Sequence, residues 1–175
     1  MQNKSWIIKV FIITFVICML ISGLSNMIAS NANIIILLVI TVLIIIIGII
    51  FDIIGTAVLT ADEATFHAKA SNKIKGSKES IRLIKNASNI ANFCNDIIGD
   101  ICGIVSGSMG AMIAITIAQK FSANSTLMAL IISSVISSIM VGGKAIGKNI
   151  AVKKSDQIIF KVGKYLNKTK RRKKQ

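Results

Sequence analysis

A chain of 175 residues that is 53% hydrophobic, with mean hydropathy +0.72 and formal net charge +14, supplies one membrane domain of a few helices. It leaves no length for a second soluble domain of usual size. Three cysteines without metal-ligand spacing (Cys18, Cys94, Cys102) and a single histidine, His67, argue against zinc sites and Cys/His catalysis.

The expected fold is an all-α integral membrane protein with four transmembrane helices and short amphipathic cytoplasmic helices between spans two and three. The first span covers about residues 6–25, with Lys4 ahead of an apolar stretch that runs on towards Met27. That stretch is long for a signal peptide, and no soluble domain follows it, so an uncleaved helix is favoured over a cleaved leader. The second span, 33–57, holds the longest apolar run. Residues 34–54 carry one ionisable side chain, Asp52, and a bilayer core takes about 20 helical residues.

Residues 60–89 are polar, with Phe66, Ile74, Ile81 and Ile84 in a patchy helical pattern around Gly76. Two short helices are expected there, lying against the membrane face with Lys and Arg toward anionic headgroups. Span three is placed at 90–118 and span four at 126–147. Span three carries Gly99, Gly103 and Gly107 at steps of four; span four carries Ser133 and Ser137 at the same step. Small residues at that spacing let helices approach backbone to backbone, so these two stripes are expected to pack together. The same stripes hold hydroxyl and carbonyl oxygens, the ligands of a hard cation.

Orientation follows from Lys and Arg. The connections near 26–32 and 119–125 hold zero and one, whereas 60–89 and 144–175 hold six and twelve. The positive-inside rule then puts both termini in the cytoplasm of a multi-pass cell-membrane protein. The basic run at 164–175 reads as a topology anchor touching anionic lipid; nothing else in the chain supports a nucleic-acid module.

Asp52, Asp100 and Lys144 are three ionisable residues inside the spans or within a turn of their ends, and Asp96 lies one turn before Asp100. Intramembrane charges are functional-site candidates by default, usually paired or facing a water-filled cavity. A salt bridge from Lys144 to Asp100 or Asp52 that only holds the helices together is the competing reading. No catalytic dyad is legible, so an enzyme is not expected.

The order of these features resembles the transmembrane domain of the CorB/CorC/CNNM magnesium transporters. A family span ending in a Ser-Gly-Ser-Glu-Thr-Ala type motif is matched by Asp52-Ile53-Ile54-Gly55-Thr56-Ala57. A Gly-Asn opening is matched by Gly99-Asp100, and a Gly-Glu-Ile-x-Pro-Lys-x-x-Ala ending by Gly143-Lys144-Ala145-Ile146-Gly147-Lys148-Asn149-Ile150-Ala151. The resemblance divides the chain into an extra N-terminal helix and outer loop (1–32), a CNNM-like domain (33–163) and the basic tail (164–175). It implies Mg²⁺ as the ion, a homodimer, and a cation pocket at Asp52, Thr56, Gly99 and Asp100. The departures bear on that pocket. The family's glutamate is Lys144 here, its asparagine is Asp100, and the other motif's glutamate is Gly55; the CBS pair and C-terminal domain typical of the family have no counterpart in the sequence. An ammonium cannot coordinate Mg²⁺, and one within about 5 Å would repel it by several kcal/mol at an effective dielectric near 20. Three hypotheses stand: a minimal ion transporter, a degenerate paralogue in which Lys144 fills the cation position, and an unrelated accessory or holin-like membrane protein.

Overall fold

The computed structural model describes residues 8, 11–20, 23, 33–122 and 124–172. Every regular element among them is helical. In chain order these are α1 (Phe11–Leu20), α2 (Ile34–Thr60), α3 (Glu63–Ser71), α4 (Ser77–Lys85) and α5 (Ala87–Ala91). A π-helix (Asn92–Gly99) follows, then α6 (Asp100–Phe121), α7 (Ser125–Lys153) and α8 (Ser155–Arg172). Three helices are long and apolar enough to cross a membrane: α2, the continuous helix Ala87–Phe121, and α7. The described part of the expected first span is the ten-residue apolar helix α1 with residues 8 and 23; residues 6, 7, 9, 10, 21, 22, 24 and 25 of that span lie outside the described residues.

The chain divides into two compact units, each containing pieces distant in sequence. The first comprises residues 1–49 and 97–143. Its core is a row at steps of four, Ile97, Ile101, Val105, Met109 and Ile113, packed with Leu37. Four residues is just over one α-helical turn, so Ile101, Val105, Met109 and Ile113 on α6 form one face. A second cluster joins Ile45, Ile136 and Met140. Gly48 makes this cluster tight: a Cβ there would come within 2.6 Å of Met140 Cε and 2.8 Å of Cys102 Cβ. At Gly110 a Cβ would meet Ile136 Cδ1 at 2.6 Å, and at Gly143 it would run into Ile49 Cδ1. Large apolar side chains of α2 (Ile35, Ile36, Val39, Val42, Leu43, Ile46) and of α7 (Leu130, Ile131, Val135, Ile139) remain exposed. Exposed apolar surface on this scale, on helices of membrane-spanning length, fits a lipid surround. The hydroxyls do not stay bare: Thr41 donates to Leu37 O (2.8 Å), Ser106 to Gly103 O (3.0 Å), Thr116 to Met112 O (3.0 Å) and Ser138 to Val135 O (2.8 Å). Each is satisfied by its own helix, which removes the cost of a lone donor in hydrocarbon.

The second unit comprises residues 50–96 and 144–175. Its core is Ala57, Val58, Phe66, Ala91, Ala151 and Ile159, with Ile81, Leu83, Ile84 and Phe160 against it. The two short helices expected around Gly76 are there, but their apolar residues are used differently. Phe66 is fully buried, and Ile81 and Ile84 pack inward against the core that α8 completes, whereas Ile74 sits in the turn at 42% exposure. Helix α8 runs through residue 164 to Arg172, carrying the basic segment as ordered helix; residues 173–175 lie outside the described residues.

Local capping explains the breaks. Asp62 caps α3 by accepting from the Ala64 and Thr65 amides (3.1 and 3.2 Å) and from the Thr65 hydroxyl (2.8 Å). These donors favour the ionised form and hold its carboxyl below the usual 3.8, the Thr65 side chain contributing most. Its own N–H donates to Asp156 Oδ1 (3.0 Å), and Ser155 Oγ donates to Thr60 O (3.3 Å), so the start of α8 is tied to the end of α2. Gly76 has φ +98°, a left-handed conformation that glycine adopts without steric cost, and it opens α4.

Candidate functional site

The charge expected in the apolar run of α2 is Asp52, and it is 2% exposed. Its neighbour one turn on is Gly55, where the missing side chain matters. A Cβ at Gly55 would run into Asn95 Oδ1, would lie 2.7 Å from Asn95 Cγ, and would lie 3.0 Å from Cys94 Cβ. Helix α2 and the π segment therefore approach at Gly55, with the Asn95 side chain seated on the glycine. Asn95 Oδ1 is buried and accepts no hydrogen bond from the described residues. A buried amide oxygen left without a donor costs about 1–3 kcal/mol, which a ligand or cation supplying positive charge would offset.

Thr56, adjacent to Gly55, is half-buried, and so is Lys144 on α7. Asp52, Thr56, Asn95 and Lys144 all belong to the second unit. Gly99 and Asp100 belong to the first; Gly99 is buried at the end of the π-helix, and Asp100 is exposed at the start of α6. Asp52, Asp100 and Lys144 each take part in a polar or electrostatic interaction, so none is an isolated charge. The i,i+4 spacing that puts Asp96 and Asp100 on one face assumes α geometry. Residues 92–99 are π-helical, with i→i+5 bonding, and that inference does not carry through them. Among the described residues no three His, Cys, Asp or Glu side chains converge as metal ligands.

The glycine stripe proposed for close helix contact is placed differently. Among the described residues nothing lies within 4 Å of a Cβ built at Gly103 or at Gly107. Ser133 is half-buried and Ser137 exposed, lining a shallow groove of about 400 Å³ with Thr126, Leu130 and Ser134. The close approaches in this unit are made at Gly48, Gly110 and Gly143 instead. Spacing identifies which residues share a helix face; it does not identify which face meets a neighbour.

Asn95 is the functional candidate that sequence reasoning passed over. Its signal was present: an amide within Phe93-Cys94-Asn95-Asp96-Ile97-Ile98, inside a segment read as a span. Adjacent Asp96 drew the attention because it is charged, yet Asp96 is exposed and Asn95 is the residue turned onto α2. No protein-family model, curated protein or solved structure matches this chain.

Proposed function

We propose that this chain is a multi-pass membrane protein of the ion-handling type, with four spans and both termini cytoplasmic, that takes a cation at a site centred on Asp52. The observation that carries the reading is a 2%-exposed carboxylate in the most apolar helix of the chain. Burying a charge there is costly enough that it is kept for a purpose. The acceptor Asn95 Oδ1, without a donor among the described residues, and the Thr56 hydroxyl add oxygen ligands of the kind a hard cation uses. Mg²⁺ is the ion that the resemblance to CorB/CorC/CNNM proteins implies, and it is cargo rather than a resident cofactor.

Lys144 sets the affinity in this reading. It stands where the resemblance places a glutamate, it is half-buried, and it belongs to the same unit as Asp52. In this reading its ammonium lies close enough to the site to compete with a divalent ion by charge alone. The wild-type chain then binds Mg²⁺ weakly and acts as a low-flux transporter, or as a non-transporting partner of one. Thermal melts of purified protein across a magnesium series test this, because a ligand that binds only the folded state raises the melting temperature with occupancy. Lys144→Glu should gain a magnesium-dependent rise, wild type should show little, and Asp52→Asn in the Lys144→Glu background should abolish the gain. Equal, strong stabilisation of wild type would show that Lys144 stands clear of the site. No response in either protein would remove the cation reading.

A further inference from the structure

The second unit holds a separate feature that the cation site does not use. Lys73 and Lys75 on the turn between α3 and α4, Lys78 in the first turn of α4, and Lys164 and Lys168 on α8 line two adjoining clefts of about 470 and 300 Å³. Asn167 contributes to both clefts, and Ser71 and Glu79 to the larger one. Among the described residues no carboxylate lies within 4 Å of any of these five lysines; His67–Glu63, within α3, is an ion pair outside the clefts.

Two glycines bring the lysines together. A Cβ at Gly76 would lie 2.8 Å from Lys164 N and 2.9 Å from Lys164 Cα. A Cβ at Gly163 would run into Ser80 Oγ and lie 2.7 Å from Gly76 O. The α3–α4 turn and α8 thus touch backbone to backbone, and Ser80 Oγ lies at the contact, its one proton shared between Gly76 O and Ile159 O, both at 3.1 Å. The Lys164 ammonium sits 4.4 Å from the Phe160 ring centroid, which orders its stem. A fold that gathers five lysines around clefts holding one carboxylate, Glu79, leaves a concave surface of net positive charge, and a compact polyanion compensates it best.

We propose that the cleft around Gly76 is a binding site for a phosphate group, carried either by an anionic phospholipid or by a small soluble phosphate compound. Five ammonium groups and the Asn167 amide supply donors for several phosphate oxygens at once, while Glu79 limits the charge the site accepts. The site is independent of Asp52 and Lys144, so it stands or falls apart from the cation reading.

The test uses the full chain in a neutral detergent, titrated with inorganic phosphate and, separately, with mixed micelles containing phosphatidylglycerol, against phosphatidylcholine as reference. Lys73→Gln/Lys75→Gln/Lys164→Gln should weaken binding at least about tenfold, as expected for losing several charge-assisted hydrogen bonds. Lys148→Gln/Lys153→Gln/Lys154→Gln removes the same charge from exposed positions outside the cleft and should leave the affinity within about twofold. Saturable binding of inorganic phosphate identifies the soluble source, and binding of phosphatidylglycerol alone identifies the lipid. Equal loss in both triple variants, or no saturable binding of either probe, would overturn the proposal. Amine-labelling of the wild-type protein gives a reading free of folding defects: ligand should protect Lys75 and Lys164 and leave Lys153 reactive. Uniform protection of all three would also overturn it.

Discussion

Replacing Gly76 by alanine sets two costs against the second unit at once. The backbone there is left-handed at φ +98°, which costs a residue with a Cβ about 1–2 kcal/mol. The added methyl would also lie 2.8–2.9 Å from the Lys164 backbone, which no rotamer change can relieve. Over-packing of that kind costs typically about 1–3 kcal/mol. The sum is on the order of 2–5 kcal/mol, concentrated where α4 meets α8. For a chain of this size it corresponds to a melting-temperature drop of roughly 5–15 °C. Hydrogen exchange by mass spectrometry, run beside a thermal melt, should show α4 and α8 losing protection while the α6 row from Ile101 to Ile113 keeps it. Gly76→Ala that melts with wild type and keeps α8 protected would refute the packing argument, and with it the reason the cleft lysines converge.

Gly48→Leu should destabilise the first unit by about 1–3 kcal/mol, because Cys102 Cβ stands 2.8 Å from the position of the new Cβ, whereas Gly103→Ala meets nothing among the described residues. The latter should melt at or slightly above wild type, alanine being the better helix former by up to about 1 kcal/mol; a large loss there would restore the Gly103 stripe as a packing surface. The Asp62 carboxyl titrates below 3.8 in the folded chain, so its capping contribution is fully present above that pH and is lost as pH falls through the lowered value. NMR of the Ala64 and Thr65 amides should show α3 fraying only in that acid range, and Asp62→Asn should remove the pH dependence; unchanged amides down to the lowest pH would contradict the cap. A cysteine introduced at Ser122 in a Cys-free background should react with an impermeant reagent from outside the cell, since the 119–125 connection carries one basic residue. Labelling only from the cytoplasmic side would sink the topology.

How much of this was legible depends on whether the deciding interaction is local. Helix α2 could be read directly, since length and hydropathy alone distinguish a span. The division into α3 and α4 at Gly76 was legible because glycine and the lysine-rich turn interrupt the helical pattern. Helix α8 was not: Ile158, Ile159, Phe160, Val162 and Leu166 have helical spacing, but the reading divided the segment at 163 and took 164–175 as a basic tail. The π-helix left no sequence trace that propensity captures, and it is the feature that carries Asn95. The candidate site was half legible. Asp52 and Lys144 stand out as charges in apolar surroundings, whereas Asn95 becomes notable only once Gly55 is seen beneath it. The Gly103 and Gly107 stripe meets no neighbour among the described residues, and a run of small residues does not name its partner.

The central claim, a cation site built on Asp52 and held weak by Lys144, is tested most directly by calorimetric titration of Mg²⁺ into detergent-solubilised Lys144→Glu, with and without Asp52→Asn. The account predicts saturable one-site binding in Lys144→Glu, loss of that binding when Asp52→Asn is added, and little heat from the wild-type protein. Binding that persists without the Asp52 carboxylate, or no binding to Lys144→Glu at all, would contradict it.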